Sequence, residues 1–168
     1  SRLLLDYFMK EGKIIKGNHE HLMEDFLVSG KYYEPYVWLL NGGVKTILSF
    51  LPQNKKTQAL RLEQIFFDNF FALNNKVFDG KDPKKVLQEF DSAITSFKEL
   101  AITYIPKEYI TFLQEIPLFY EDEEVIITHA PINPDLTFSQ ITTISAKENE
   151  AFQDDTVLWH RGGIEKGN

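Results

Sequence analysis

Two short polar segments of the sequence carry side chains suited to metal and phosphate chemistry. KGNHE at 16–20 follows a pair of isoleucines, and THAPINP at 128–134 follows the apolar run VIIT. An asparagine carbonyl oxygen and an imidazole nitrogen are reasonable ligands for manganese, iron or zinc. Asn18, His19 and His129 are therefore the candidate site residues, and His19, beside Asn18, is also suited to donate a proton.

Each of these residues also has an ordinary structural interpretation. A single histidine is more often structural than a metal ligand, and Gly17 followed by Asn18 is a common turn pair. The helical metalloprotease pattern, the P-loop and the nucleophile elbow of α/β hydrolases are all absent from the sequence. The two polar segments are what remains as a candidate site.

Strands and helices must bring the two polar segments together. The isoleucine pair at 14–15 is predicted to be a short strand and the run VIIT a buried one, while HLMEDFL from His21 is predicted to be the helix that leaves the first segment. This is a strand, loop and helix unit. In open α/β sheets ligands bind beyond the carboxyl ends of the strands, so the two segments could meet at one site.

Much of the remaining sequence is predicted to be helical. The spacing of apolar residues over 56–104 indicates two amphipathic helices. Gly80 is expected to end the first of them, and Asp82–Pro83 to cap and begin the second. A third helix is predicted from Lys107 to Glu115. The stretch 32–51, which contains NGGVKT, is interpreted as a loop because paired glycines allow backbone conformations that other residues resist.

Composition narrows the classes of function. The 168 residues include 25 acidic and 18 basic side chains, a net charge of −7 that argues against a nucleic-acid-binding surface. No apolar run approaches the roughly 18 residues that a membrane-spanning helix needs. The absence of cysteine excludes disulfides, thiolate zinc sites and cysteine nucleophiles, and it fits a reducing compartment. We therefore expect a cytoplasmic protein with neither nucleic-acid nor membrane partners.

Four segments occur together in one order along the chain. They are GNHE at 17–20, NGG with a following Thr at 41–46, IPKEYITFLQEIPLFYEDEEVIITHA at 105–130, and LWHR at 158–161. In this combination the chain resembles the phosphoprotein phosphatase branch of the calcineurin-like metallophosphoesterases. It is most similar to the bacterial serine/threonine phosphatases and the symmetrical diadenosine tetraphosphate hydrolases, over residues 1–51 and 105–161.

The resemblance implies both a fold and a chemistry. The expected fold is an α/β two-sheet sandwich flanked by helices, a single partial domain over 1–168 that carries the helical hairpin at 56–104 as an insertion. Members of this family use two divalent metal ions that share a bridging hydroxide, which attacks phosphorus in line. Manganese is the expected metal, with iron or zinc as alternatives.

The resemblance also implies a role for each matching residue. Asn18 and His129 would ligate the same metal ion, and His19 would protonate the leaving-group oxygen. Arg161 would clamp the phosphoryl group, because its planar guanidinium matches two oxygens. Lys16 stands where many relatives have arginine, and it would bind phosphate through its charge without the two-pronged fork.

Three motifs of the family are missing from this sequence. GDxHG, GDxxDRG and GH, which supply the other metal ligands, do not occur. The sequence is therefore expected to be the middle part of a phosphatase, and the 168-residue chain alone is expected to be inactive. The expected function is hydrolysis of phosphorylated proteins or small phosphomonoesters. The alternatives are hydrolysis of dinucleoside polyphosphates and a catalytically silent phosphate-binding or scaffold domain, and the oligomeric state stays open.

Overall fold

The computed structural model describes residues 14–30, 33–132, 135–137, 139–140 and 143. The chain divides into two compact units. The helical unit comprises residues 35–107, and the described part of the β-hairpin unit comprises residues 14–30, 33–34 and those from 108 onward. Arg161 and the LWHR segment lie outside the described residues.

Helices account for most of the described chain. In order, the elements are α1 Asn18–Glu24, α2 Pro35–Trp38, α3 Val44–Phe50, α4 Gln53–Asn75, α5 Pro83–Tyr104, α6 Lys107–Glu115, β1 Phe119–Glu121 and β2 Ile126–Thr128. One π-helical turn, Asp25–Ser29, continues α1, and a second, Leu39–Gly43, joins α2 to α3.

The expected two-sheet sandwich is wrong. The described residues are mostly helical, and the sheet they contain has two strands, β1 and β2, paired antiparallel with Phe119 opposite Thr128. The isoleucine pair at 14–15 is not in a strand. Strand-forming side chains favour an extended backbone, but a sheet also needs neighbouring strands, and here that pairing is limited to one short hairpin.

The strand in the run VIIT is present, but its predicted burial is wrong. Ile126 and Ile127 on β2 are 41% and 49% exposed. The acidic turn before β2 is formed by Asp122, whose carboxylate accepts hydrogen bonds from the backbone N–H groups of Glu124 and Val125, both at 2.9 Å. The apolar run therefore forms the second arm of a surface hairpin.

The two long helices predicted within 56–104 are present as α4 and α5. Asp82 caps α5 as expected, because its carboxylate accepts a hydrogen bond from the Lys84 N–H at 3.0 Å and Pro83 occupies the first turn. The end of α4 differs from the prediction, since the helix stops at Lys76 in the left-handed conformation, with φ 55°, before Gly80 is reached.

Aromatic packing joins the two long helices. Phe66 on α4 stacks on Phe90 of α5 with ring centroids 5.3 Å apart, and it meets Phe97 edge-on at 6.1 Å. Phe66 and Phe97 are fully buried. The other fully buried side chains of these two helices are smaller, and they are Ala59, Val86, Ala93 and Ala101. The core of the helical unit therefore lies between α4 and α5.

The stretch interpreted as a loop over 32–51 is helical from Pro35 onward, so that interpretation was wrong. The paired glycines produce a kink between α2 and α3, because Gly42 has φ 99° while Gly43 keeps helical angles. Gly43 lies against Trp38, whose side chain is buried. The glycines thus allow two short helices to meet at close range.

α6 has the predicted bounds, Lys107–Glu115, and ends shortly before Pro117. Tyr109 and Leu113 are its buried side chains. Among the described residues, no helix combines the length and the apolar character needed to cross a lipid bilayer.

We predict that Gly43→Ala destabilises the protein. A methyl group at this position would lie 2.6 Å from Trp38 Cδ2 and 2.7 Å from the Trp38 backbone oxygen, and the backbone cannot rotate away as a side chain can. Such overpacking costs about 1–3 kcal/mol, which exceeds the roughly 1 kcal/mol that alanine gains over glycine in a helix. Urea unfolding measures the difference. The exposed Ser49→Ala on α3 is the control, and a Gly43→Ala protein as stable as the wild type would contradict the packing argument.

Candidate functional site

Asn18 and His129 lie side by side in the β-hairpin unit. Asn18 is the first residue of α1, and His129 directly follows β2. Their side chains meet with Asn18 Oδ1 3.2 Å from His129 Nε2, although 111 residues separate them in sequence. The two polar segments selected from the sequence therefore come together.

The contact between the two segments depends on the missing side chain of Gly17. A Cβ atom at Gly17 would lie 3.0 Å from both Cε1 and Nδ1 of His129 and 2.7 Å from the Glu20 carboxylate. The backbone of Gly17 is extended, with φ −95°, so any residue could adopt it. Glycine is required here for space, because the imidazole ring of His129 rests against the start of α1.

Glu20 is a site residue that the sequence reasoning missed. Its carboxylate accepts a hydrogen bond from the Gly17 backbone N–H at 3.1 Å, which satisfies one of the unpaired donors at the start of α1. The spacing from Gly17 to Glu20 is that of the second half of a capping box, and this signal could have found it. Glu20 thereby holds the turn from which Asn18 projects.

The turn around His129 has its own support. The Thr128 hydroxyl donates a hydrogen bond to the Ala130 backbone oxygen at 2.7 Å, and the Ala130 side chain is buried. The backbone on either side of His129 is therefore tied to itself, while the His129 side chain stays exposed. The ring is thus exposed at the surface with its Nε2 in hydrogen-bond contact with Asn18 Oδ1.

Lys16 is buried, in contrast to the phosphate-binding role that the resemblance implies. Its ammonium Nζ lies 2.6 Å from Glu24 Oε2, and its backbone N–H donates to the Pro117 oxygen at 2.7 Å. The Lys16 side chain is 7% exposed. A phosphate group would have to compete with the Glu24 carboxylate for this charge, so Lys16 mainly anchors the segment that leads into α1.

The remaining predicted site residues have different positions. His19 lies in the first turn of α1, next to Asn18, and its side chain is exposed. Arg161 lies outside the described residues, so its distance to Asn18 and His129 stays undefined. The structure therefore brings Asn18, His19 and His129 into one region and leaves Arg161 as a prediction.

His21, on α1, and Asp25, directly after it, both contact Tyr33. His21 Nδ1 is 2.9 Å from the Tyr33 hydroxyl oxygen, and their rings meet edge-on at 5.4 Å. The buried Asp25 carboxylate accepts hydrogen bonds from the Tyr33 backbone N–H, at 2.9 Å, and from the Ser29 hydroxyl. These bonds fix the π-helical turn after α1, a feature that periodicity in the sequence does not reveal.

Burial governs the protonation of His21. Desolvation lowers the pKa of His21 from its ordinary value of 6.5; Glu24 opposes this shift, Lys16 adds to it, and Asp25 also opposes it. The neutral imidazole is therefore favoured in the folded protein. This form keeps one ring nitrogen able to accept a hydrogen bond.

The spacing of the Asn18 and His129 donor atoms fits shared ligation of one metal ion. Two ligands bound at about 2.1 Å lie roughly 3.0 Å apart at a right angle and roughly 3.4 Å apart at a tetrahedral angle. The measured 3.2 Å falls between these values. Within the described part of the chain, no three His, Asp, Glu or Cys side chains gather as a metal-holding group. The same 3.2 Å is also an ordinary hydrogen-bond distance between the two side chains, so the geometry is compatible with either arrangement.

Comparison with known proteins identifies no family for this chain. No protein-family model matches the chain, and no curated protein or solved structure matches it either.

We predict that Gly17→Ala separates His129 from Asn18. The added methyl group must displace the imidazole ring or the Glu20 carboxylate, both of which are side chains that can move. The free energy of unfolding should change by less than about 1 kcal/mol, while the NMR signals of the His129 ring and the Asn18 amide shift. Val28→Ala, at an exposed position of the same unit, is the control. Unchanged His129 and Asn18 signals would contradict the proposed contact.

We predict that His21 makes the protein less stable in mild acid. Because its pKa is lower in the folded state, the unfolded chain takes up the proton first as the pH falls through about 6.5, and stability is lost below that pH. The loss is at most about 1.4 kcal/mol per pH unit, the slope for one proton. Urea unfolding across this range should give a flatter pH dependence for His21→Gln, whereas Tyr33→Phe, which keeps the imidazole, should retain the slope. Equal slopes for His21→Gln and the wild type would disprove this assignment.

Proposed function

We propose that this protein is a metal-dependent phosphoester hydrolase that acts on phosphoserine, phosphothreonine or small phosphomonoesters. The observation that carries the proposal is the 3.2 Å approach of Asn18 Oδ1 and His129 Nε2 across 111 residues of sequence. These are the two residues that the resemblance to metallophosphoesterases assigns to one metal ion. Independent support comes from Gly17, whose lack of a side chain makes room for the His129 ring.

The chemistry of the two donors agrees with this function. An amide oxygen and an imidazole nitrogen bind metal ions as uncharged ligands, so Asn18 and His129 would hold a divalent ion without neutralising it. Mixed oxygen and nitrogen ligands suit manganese, iron and zinc. When bound, divalent ions supply Lewis-acid stabilisation of the phosphoryl charge and an activated water.

His19 is the proposed proton donor. It directly follows Asn18, and its exposed side chain is accessible to a bound substrate. A protonated imidazole can give its proton to the leaving-group oxygen, which would otherwise depart as an unstable alkoxide. Arg161 remains the proposed phosphate clamp on the basis of the LWHR segment alone.

Metal binding tests the ligand assignment directly. Mn²⁺ is paramagnetic, so titration of the 168-residue chain should broaden the NMR signals of the His129 ring before those of the half-buried His21 ring. We expect Asn18→Ala and His129→Ala each to weaken Mn²⁺ binding by at least about tenfold. His21→Gln, which removes a histidine from the same helix, is the matched control. Equal Mn²⁺ affinity in all variants would refute the ligand pair.

Turnover tests the enzymatic assignment. Hydrolysis of an aryl phosphate is measured with Mn²⁺, Fe²⁺ or Zn²⁺, for the 168-residue chain and for any longer form that carries the GDxHG, GDxxDRG and GH motifs. We expect activity only where the remaining metal ligands are supplied, and a loss of about 10²- to 10⁴-fold in kcat for His19→Ala. Hydrolysis of diadenosine tetraphosphate, with no hydrolysis of the aryl phosphate, would favour a dinucleoside polyphosphate hydrolase. No turnover with any metal would favour a silent phosphate-binding or scaffold domain.

A further inference from the structure

The helix α4 carries an apolar stripe outside the core of the helical unit. Leu60, Phe67 and Phe71 are 51%, 38% and 62% exposed, whereas Ala59 and Phe66 on the neighbouring face are fully buried. At 100° per residue, Leu60, Phe67 and Phe71 point within about 40° of one another. We call these three residues the outer α4 stripe.

The spacing of the outer α4 stripe is that of a short coiled-coil seam. Leu60, Gln64, Phe67 and Phe71 occupy successive d, a, d and a positions of the heptad pattern. A seam of this kind buries its apolar residues against a second helix of the same pattern. The a positions of α4 are Thr57, Gln64 and Phe71, and polar residues at a positions restrict register at a cost in stability.

The charged residues beside the seam indicate which helix would pack on it and in which orientation. Arg61 and Asp68 both lie at e positions on the same flank, and both are exposed. In two parallel copies, the flanking pairs would be Lys56 with Arg61 and Glu63 with Asp68, which repel. In two antiparallel copies, Arg61 would lie beside Asp68 of the partner subunit, twice by symmetry.

The present contacts of these charges are compatible with such pairing. Among the described residues, Arg61 has no ion-pair partner, and Asp68 accepts a hydrogen bond from the Gln64 side chain at 2.8 Å. Glu63, on the other flank, is already paired with Lys45 at 2.7 Å. On the e flank of the seam, the charges left to be matched are therefore those of Arg61 and Asp68.

We propose that the outer α4 stripe is a homodimer interface, in which α4 of two copies pack antiparallel. Three apolar side chains per copy form a small contact, so the dimer is expected to be weak and in equilibrium with the monomer. This inference is independent of the proposed phosphoester chemistry, because it rests on residues of the helical unit alone.

Sedimentation equilibrium of the full chain tests whether the outer α4 stripe is a dimer interface. We expect a concentration-dependent dimer, and Phe71→Asp should raise its dissociation constant by about tenfold or more. Leu87→Asp, at an apolar position of α5 that is 49% exposed, is the matched control and should leave the dimer intact. Circular dichroism verifies that each variant keeps its helices. A monomer at every concentration, or a dimer insensitive to Phe71→Asp, would overturn the proposal.

The antiparallel direction is tested by charge and by cross-linking. Arg61→Asp and Asp68→Arg should each weaken the dimer, and the double variant should restore it. Since the chain has no cysteine, a mixture of Arg61→Cys and Asp68→Cys proteins should form a disulfide-linked heterodimer under mild oxidation. Either cysteine variant alone should cross-link poorly. Efficient cross-linking of one variant with itself, or no rescue by the double charge swap, would disprove the antiparallel pairing.

Discussion

The packing of the His129 ring on the backbone of Gly17 is the contact on which the candidate site depends. It brings the end of the β-hairpin to the first turn of α1 and sets the distance between Asn18 and His129. Hydrogen bonds on each side then hold the two segments in place: Glu20 closes the start of the helix, and Thr128 closes the turn after β2. A van der Waals contact at a glycine thus determines whether two polar side chains can act together.

The helix that carries Asn18 and His19 is too short to be stable alone. α1 has seven residues, and isolated helices of this length do not persist in water. Its stability comes from its surroundings. Lys16, before the helix, forms a partly buried ion pair with Glu24 in its last turn, and the Asp25 carboxylate holds the residues that follow. Lys16, which the sequence suggests as a phosphate-binding residue, therefore stabilises α1 together with Glu24 and Asp25. This distinction requires knowledge of burial, which residue types alone do not provide.

The sequence predicts the elements that are controlled by local signals. Asp82 and Pro83 mark the start of α5, and α6 has its predicted bounds because proline precedes it and follows it.

The predictions that failed depended on distant contacts. The paired glycines at 42–43 suit a loop as well as a kink, and only the packing of Gly43 on Trp38 selects the kink. Likewise, Ile126 and Ile127 suit a buried strand, but their exposure is set by whether other strands cover them. For the site, the sequence motifs pointed to Asn18 and His129, which lie 3.2 Å apart, and the capping-box spacing could have pointed to Glu20. His21 and Asp25 emerged only from the three-dimensional contacts.

The two units differ in how far apart in sequence their contacts lie, and this difference bears on the order of folding. α4 and α5 are joined by a short turn, so their aromatic core closes a small loop at little entropic cost. The Asn18–His129 contact closes a loop of 111 residues, and it is made by side chains at the surface. The α4–α5 helical hairpin is therefore expected to form early and the Asn18–His129 contact late. For the same reason, partial unfolding would release this contact while the α4–α5 core is still intact, so the candidate site is lost before that core unfolds.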